Sequence, residues 1–210
     1  MIKAQVTING EICKQANLRT DKEGNSYVCF SVKLTVPGSR NNMPGKDVFI
    51  STIANGTEND LFQYVVGSRI EAIGTLTFRK VADNIYLNFH ADSINFNPDS
   101  RKDCLEGTVE FKGAVGKGVD EKVDKKGNPY ILFQAYSTEK SGEQLQFIWI
   151  HFIRFNCSKE DYLQPKAKIH VKGKLFVTAY NDRMDLGCRV EELKPWDLPQ
   201  KAQETDKLKD

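Results

Sequence analysis

The 210-residue chain carries 30 basic against 28 acidic side chains, a balance that excludes a whole-protein field strong enough to gather polyanions by itself. No apolar run approaches the roughly 18 residues that a membrane helix needs, so no membrane role is expected. The five cysteines (Cys13, Cys29, Cys104, Cys157, Cys188) are odd in number, scattered and without a C-x-x-C pair, which argues against a disulfide framework or a zinc site and for a reduced, cytoplasmic setting.

In chain order, Lys3–Glu11 alternates through Ala4, Val6 and Ile8 and meets Gly10, a bulge or bend signal. Asp21, Gly24 and Asn25 are turn chemistry. Tyr27–Val36 follows as a period-2 strand with Val28, Phe30, Val32 and Leu34 on one face. Residues 37–45, rich in Gly, Pro, Asn and Arg, read as a loop, and Val48–Ile53 as a third strand. Thr57 is a candidate N-cap for a short helical segment through Leu61, Phe62, Tyr64 and Val65. Arg69–Arg79 and Ile85–Ile94 are two more strands about a hairpin at Ala82-Asp83-Asn84. The polar segment 98–104 reads as a linker. The second half repeats the order: Leu105–Val115, Tyr130–Ser137, Leu145–Ile153, a helical stub near Ser158–Leu163, Lys168–Ala179 and Met184–Glu191.

The repetition extends to residues. Asp21-Lys22-Glu23-Gly24-Asn25-Ser26-Tyr27-Val28-Cys29-Phe30 returns 103 positions later as Asp124-Lys125-Lys126-Gly127-Asn128-Pro129-Tyr130-Ile131-Leu132-Phe133. Arg69-Ile70-Glu71-Ala72-Ile73-Gly74-Thr75-Leu76 returns 99 positions later as Lys168-Ile169-His170-Val171-Lys172-Gly173-Lys174-Leu175. A period of roughly 100 residues is the size of a small domain, not of a solenoid unit. Three strands, a short helix and two strands is the order of the OB-fold. The expected architecture is therefore all-β: two tandem five-stranded OB barrels, residues 1–97 and 105–196, each with a short helix between its third and fourth strands. Residues 197–210 read as a disordered charged tail.

The strand that follows the Gly-Asn turn, Y-x-x-F, and the strand x-I-x-(V/A)-x-G-x-L resemble the bacterial single-stranded DNA-binding protein (SSB) family over about residues 3–96 and 105–194. The helix-to-strand step Tyr64-Val65-Val66-Gly67-Ser68-Arg69-Ile70 and its counterpart from Tyr162-Leu163 into Gly173-Lys174-Leu175 carry the same likeness. The third strand of the first half, Asp47-Val48-Phe49-Ile50, departs from the family's Trp-His step, whereas Ile148-Trp149-Ile150-His151 holds both residue types. The C-terminal Asp206-Lys207-Leu208-Lys209-Asp210 lacks the family's acidic tip with a terminal Phe, so partner recruitment by that route is not expected. The resemblance implies single-stranded DNA as partner, no cofactor, and a homodimer that presents four OB domains.

Holding single strands without regard to sequence needs flat rings for the bases and cations along the phosphates. With Ile169, Val171, Gly173, Leu175 and Val177 inward, alternation turns Lys168, His170, Lys172, Lys174 and Phe176 outward. The alternative is a lysine-rich face that merely keeps a sheet soluble. The equivalent first-half face carries Arg69 and Arg79, with Lys80 beyond, and Tyr86 is a candidate ring on the next strand. Trp149 sits in the apolar run Phe147–Phe152, which suggests burial on both faces; an interface role stands beside stacking, and Phe49 shares that ambiguity. Phe30 and Phe133 share parity with core residues. Arg40, Lys125 and Lys126 lie on loops able to close over a strand.

Catalytic constellations are absent from the pattern. His90, His151 and His170 are dispersed. Gly113-Ala114-Val115-Gly116-Lys117-Gly118 lacks the spacer, the Ser or Thr and the following helix of a phosphate loop, and reads as a bent strand. The expected function is non-catalytic single-stranded DNA binding in replication, recombination or repair. Two other readings remain open at this level: an assembly module that kept the scaffold but lost nucleic-acid binding, and an oligosaccharide-binding OB protein.

Overall fold

The computed structural model describes residues 2–40, 42–141, 144–180 and 183–196. The expected disordered tail, 197–210, and Asn41 of the Gly/Pro/Arg-rich loop lie outside the described residues. Ten strands account for most of the chain: β1 (Ile2–Thr20), β2 (Ser26–Val36), β3 (Lys46–Asn55), β4 (Arg69–Val81), β5 (Asn84–Asn95), β6 (Cys104–Val123), β7 (Pro129–Ser141), β8 (Gln144–Phe155), β9 (Lys168–Tyr180) and β10 (Arg183–Pro195).

Alternation places the core as expected. Val28, Phe30, Val32, Leu34 and Val36 of β2 are buried, as are Ile148, Ile150 and Phe152 of β8 and Ile169, Val171, Leu175 and Val177 of β9. β2, β8 and β9 thus bury one face and wet the other. Tyr64 closes the first-half core, its ring 4.8 Å from Phe30 and 5.0 Å from Phe96. Phe133 stacks on Phe152 in the second half at 5.0 Å.

The pairings trace two rings. β1 pairs with β2, β2 with β3, β3 with β5, β5 with β4, and β4 returns to β1. The same circuit recurs through β6, β7, β8, β10 and β9. The two first strands run longer than their sequence patterns suggest, and each serves two neighbours within its own ring. β1 pairs with β4 over Lys3–Glu11 and, past bulges after Ile12 and Lys14, with β2 up to Thr20. Gly10 sits at this crossing, where an added Cβ would lie 2.5 Å from the Lys33 carbonyl oxygen. In β6 the irregularity falls between Val115 and Val119, so the Gly-rich run is a bend in a strand.

One pairing was not legible in the sequence. β1 runs antiparallel to β6 from Ile2 opposite Phe111 to Asn9 opposite Cys104, which joins the rings into one ten-stranded sheet. The repeated turns are copies down to their hydrogen bonds. Asp21 Oδ1 accepts from the N–H groups of Glu23 (2.8 Å) and Asn25 (2.9 Å), and Asp124 Oδ1 accepts from those of Lys126 (2.7 Å) and Asn128 (2.9 Å). Gly24 and Gly127 both take the left-handed conformation that such turns require.

The expected helices divide. A 3₁₀ helix spans Glu58–Gln63 with Thr57 at its N-cap, where the Asp60 carboxylate accepts from both the Thr57 N–H (2.7 Å) and its hydroxyl (2.9 Å). The expected stub near Ser158–Leu163 is not helical: the segment is irregular with isolated turns. Pro165 disfavours the α conformation at Gln164, just past the stub, and Leu163 is buried in the core.

Candidate nucleic-acid interface

The outer face of β7 and β8 gathers rings. While Ile148, Ile150 and Phe152 point inward, Phe147, Trp149 and Phe155 point out, and Trp149 is 42% exposed. This corrects the reading of Trp149 as buried on both faces: the run from Phe147 to Phe152 is apolar but for His151, and its alternation is intact. Tyr136 of β7 packs edge-on to Phe147 (5.3 Å between centroids) and tilted to Trp149 (4.9 Å). At the other end Tyr130 meets Phe155 at 5.8 Å, and the Arg189 guanidinium stands 5.1 Å over the Phe155 ring. An added Cβ at Gly116 would stand 3.0 Å from the Trp149 ring, so the missing side chain there is what lets the indole lie close to the backbone. A cleft of about 470 Å³ runs beside the indole, lined by Lys117, Asp120, Gln134 and His151 among others.

This surface continues onto β10 and β9. The β8–β10 register puts His151 opposite Gly187, and β10–β9 puts Gly187 opposite Phe176. The Phe176 ring lies over Gly187, where a side chain would collide with it at 2.0 Å. Arg189 is opposite Lys174. His151 also meets Asp185 at 3.1 Å, and that hydrogen bond holds its imidazole above the usual value against the opposing pull of burial.

The lysine face of β9 has the predicted parity, with acids of neighbouring strands beside it. Lys168, Lys172, Lys174 and Phe176 are exposed. His170, however, has only 12% of its side chain exposed, with Nε2 at 2.7 Å from Glu110 of β6. Burial works against ionisation of Glu110, but His170 and Lys112 together hold its carboxyl below the ordinary range. Lys172 stands opposite Glu110 on one side and Glu192 on the other. Acids on the neighbouring strands therefore lower the net positive charge at the centre of this stripe, while Lys168, Lys172 and Lys174 stay exposed on it.

In the first half, one row crosses four strands. Lys33 is opposite Phe49, and Tyr86 is opposite Arg79. Ile50 pairs with Leu87, so Phe49 and Tyr86 are neighbours; they line one cleft of about 230 Å³ together with Lys46 and Arg183. Phe49 is 60% exposed, so its ring is open on the outer face of the chain. Arg69 does not join the row. It is held by Asp103 at 2.7 Å and by the Asn9 side-chain oxygen at 2.8 Å, a clamp between β4, β1 and the connecting segment. Lys80 is likewise engaged, donating to the Phe147 carbonyl across the two halves at 3.3 Å.

Of the loop residues, Lys125 and Lys126 are exposed on the turn that leads into Tyr130, at the Phe155 end of the aromatic face. Arg40 sits 5.9 Å from the Tyr180 ring. Sequence reasoning missed Tyr130, Tyr136, Phe147, Phe155, Arg189, Lys33 and Tyr180. Parity alone picks out Phe147 and Phe155 once Ile148, Ile150 and Phe152 are taken as core. Arg189 and Lys33 depend on cross-strand register, which no local pattern encodes. Among the described residues no group of three or more His, Cys, Asp or Glu side chains is placed to hold a metal ion, and no helix is long and apolar enough to cross a membrane.

No protein-family model matches the chain, and no curated protein matches it. Among solved structures it is similar to a deletion mutant of the single-stranded DNA-binding protein from Thermus aquaticus, at 12% identity and a TM-score of 0.47 over 96% of this chain and 98% of that one. The wild-type form of the same protein gives 15% identity and a TM-score of 0.46 over 95% and 96%. A Plasmodium falciparum SSB in complex with ssDNA gives 16% identity and a TM-score of 0.34, over 48% of this chain and 99% of that one.

Proposed function

We propose that the protein binds single-stranded DNA without catalysis and largely without regard to sequence, each strand ring serving as an OB-type barrel. The observation that carries this reading is the outer face of β7 and β8. Five rings (Tyr130, Tyr136, Phe147, Trp149, Phe155) cluster there, with Arg189 over one of them and Lys125 and Lys126 on the adjoining turn. Rings held against a strand surface can stack on bases only where base faces are free, which is the case in single strands and not inside a duplex. The first-half row Lys33, Phe49, Tyr86 and Arg79 repeats the combination with fewer rings. At matching positions Trp149 corresponds to Phe49, but Phe147 to Asp47 and Phe155 to Asn55, so the second half is the stronger anchor.

The chemistry supports binding rather than reaction. Burial pushes the Cys188 thiol up to about 12. Burial, with Glu106 beside it, raises that of Cys104 to about 11, so neither supplies a thiolate nucleophile. The domain division at residues 98–104, the roles in replication, recombination or repair, and a homodimer of two-barrel chains belong to the same reading; the sequence resemblance supports them, and analytical ultracentrifugation tests the dimer.

Titration of the Trp149 fluorescence, in a Trp196→Phe background that leaves it the single tryptophan, with oligo-dT at several salt concentrations tests the function. Binding with quenching is expected, each neutralised phosphate adding about −0.7 to the slope of log affinity against log salt. Absence of binding at low salt, or binding without salt dependence, refutes it, the latter pointing to a neutral ligand such as an oligosaccharide.

A further inference from the structure

The two aromatic surfaces stand on different rings, and a cavity of about 770 Å³ opens between them. Ser39 of the β2–β3 loop lines it from the first half; His151, Tyr180, Arg183 and Met184 line it from the second. It shares Arg183 and Met184 with the smaller cleft that holds Phe49 and Tyr86. The gap thus runs from the first-half rings to His151, two residues along β8 from Trp149.

Its walls are fixed and chemically suited to a nucleotide. The Ala179 N–H donates to the Pro37 carbonyl (2.9 Å), the Ser39 N–H donates to the Ala179 carbonyl (2.8 Å), and Lys80 ties β4 to β8. These bonds hold the loop of one half against the strand end of the other, so the gap is preformed. Tyr180 presents an exposed ring with the Arg40 guanidinium beside it. Arg183 is 3.8 Å from Asp83, with 75% and 80% of the two side chains exposed. A pair so long and so wet contributes little, so a phosphate can compete with the carboxylate for Arg183. Among the described residues, Asp185 faces His151, Asp83 faces Arg183, and Asp47 on the Phe49 side accepts from the Thr35 hydroxyl at 2.7 Å.

We propose that this cleft is a nucleotide-binding segment that carries one DNA strand from Phe49 and Tyr86 to Trp149. Tyr180 stacks a base, and Arg183 exchanges Asp83 for a phosphate. The inference rests on the single-stranded DNA reading above. The whole chain then offers one continuous track in place of two separate sites.

Full-length protein is titrated with labelled oligo-dT of about 8 nucleotides, within the span of one OB fold, and of about 30, the span of two. Tyr180→Ala and Arg183→Glu are each expected to weaken the longer oligonucleotide about tenfold, the loss of one stacked base or phosphate contact. Arg183→Glu also reduces the salt slope by about 0.7 or more. The shorter one, held by the β7–β8 face, keeps its affinity in both variants. Losses that are equal at both lengths, or absent at both while Trp149→Ala still weakens binding, overturn the track and leave the single-stranded DNA reading standing. A wild-type protein that binds neither length at low salt overturns both.

Discussion

The contact between Phe176 and Gly187 allows the stacking role of one ring to be tested without touching the ring. A Cβ at Gly187 would fall 2.0 Å from Phe176 Cε2 and Cζ. Gly187 is not among the residues with left-handed torsions, so Gly187→Ala carries no backbone strain. What must move is the far end of a side chain that is 39% exposed, and it has solvent to move into. Burying a whole Phe side chain stabilises by about 1.5–3 kcal/mol, so losing the part that rests on Gly187 costs about 1 kcal/mol. A base stacked on the ring is worth about 1–3 kcal/mol, or roughly five- to 150-fold in affinity. Gly187→Ala should therefore lower oligo-dT affinity by up to that factor while shifting the urea-unfolding free energy by about 1 kcal/mol. Phe176→Ala sets the ceiling, and the double variant should bind no worse than Phe176→Ala alone, because both changes remove the same contact. Anisotropy titrations at one salt concentration measure all three. Wild-type affinity in both single variants removes Phe176 from the interface. A further loss from Gly187→Ala in the Phe176→Ala background shows that the glycine acts through something other than the ring.

Two further predictions concern the frame. Asp103 accepts from the Thr35 N–H at 2.7 Å and pairs with Arg69; burial raises its pKa, but these partners outweigh it and hold the carboxyl below its ordinary value. Its contribution is therefore present above the unfolded carboxylate pKa and lost as pH falls through the folded one. Asp103→Asn should cost about 1–3 kcal/mol at neutral pH, shrink the acid-induced loss of stability, and leave oligo-dT affinity unchanged; an unchanged acid limb refutes the clamp. Gly107 lies against β1, where a Cβ would stand 2.1 Å from the Gln5 carbonyl oxygen and 2.6 Å from Val6 Cα. Backbone cannot swing aside as a ring can, so Gly107→Val should cost about 3 kcal/mol or more in thermal or urea unfolding, and a wild-type melting curve would show that β1 and β6 are not paired this closely.

Much of this protein was legible in its residues. Alternation at period 2 set the core faces of β2 and β9, because a strand has only two sides and one of them must be apolar. The duplicated Asp-x-x-Gly-Asn turns declared the repeat, since the same hydrogen bonds to Asp21 and Asp124 demand the same residue types. Parity also turned Lys168, Lys174 and Phe176 outward correctly. It failed where charge depends on a neighbour distant in the chain: nothing near His170 or Lys172 announces Glu110, and nothing near Arg69 announces Asp103. The second-half helix failed for a different reason, as buried Leu163 and Pro165 override a weak local preference.

What only the tertiary structure decided is which rings meet. Phe49 and Tyr86, or Phe155 and Arg189, lie 37 and 34 positions apart and become neighbours through parallel and antiparallel registers that span whole rings of strands. The pairing of β1 with β6, and the cleft between the halves, have the same origin. A local pattern specifies the face on which a side chain sits, because backbone geometry is local. The partner beside it is set by which strands pair and in what register, and that is fixed only when the whole sheet closes.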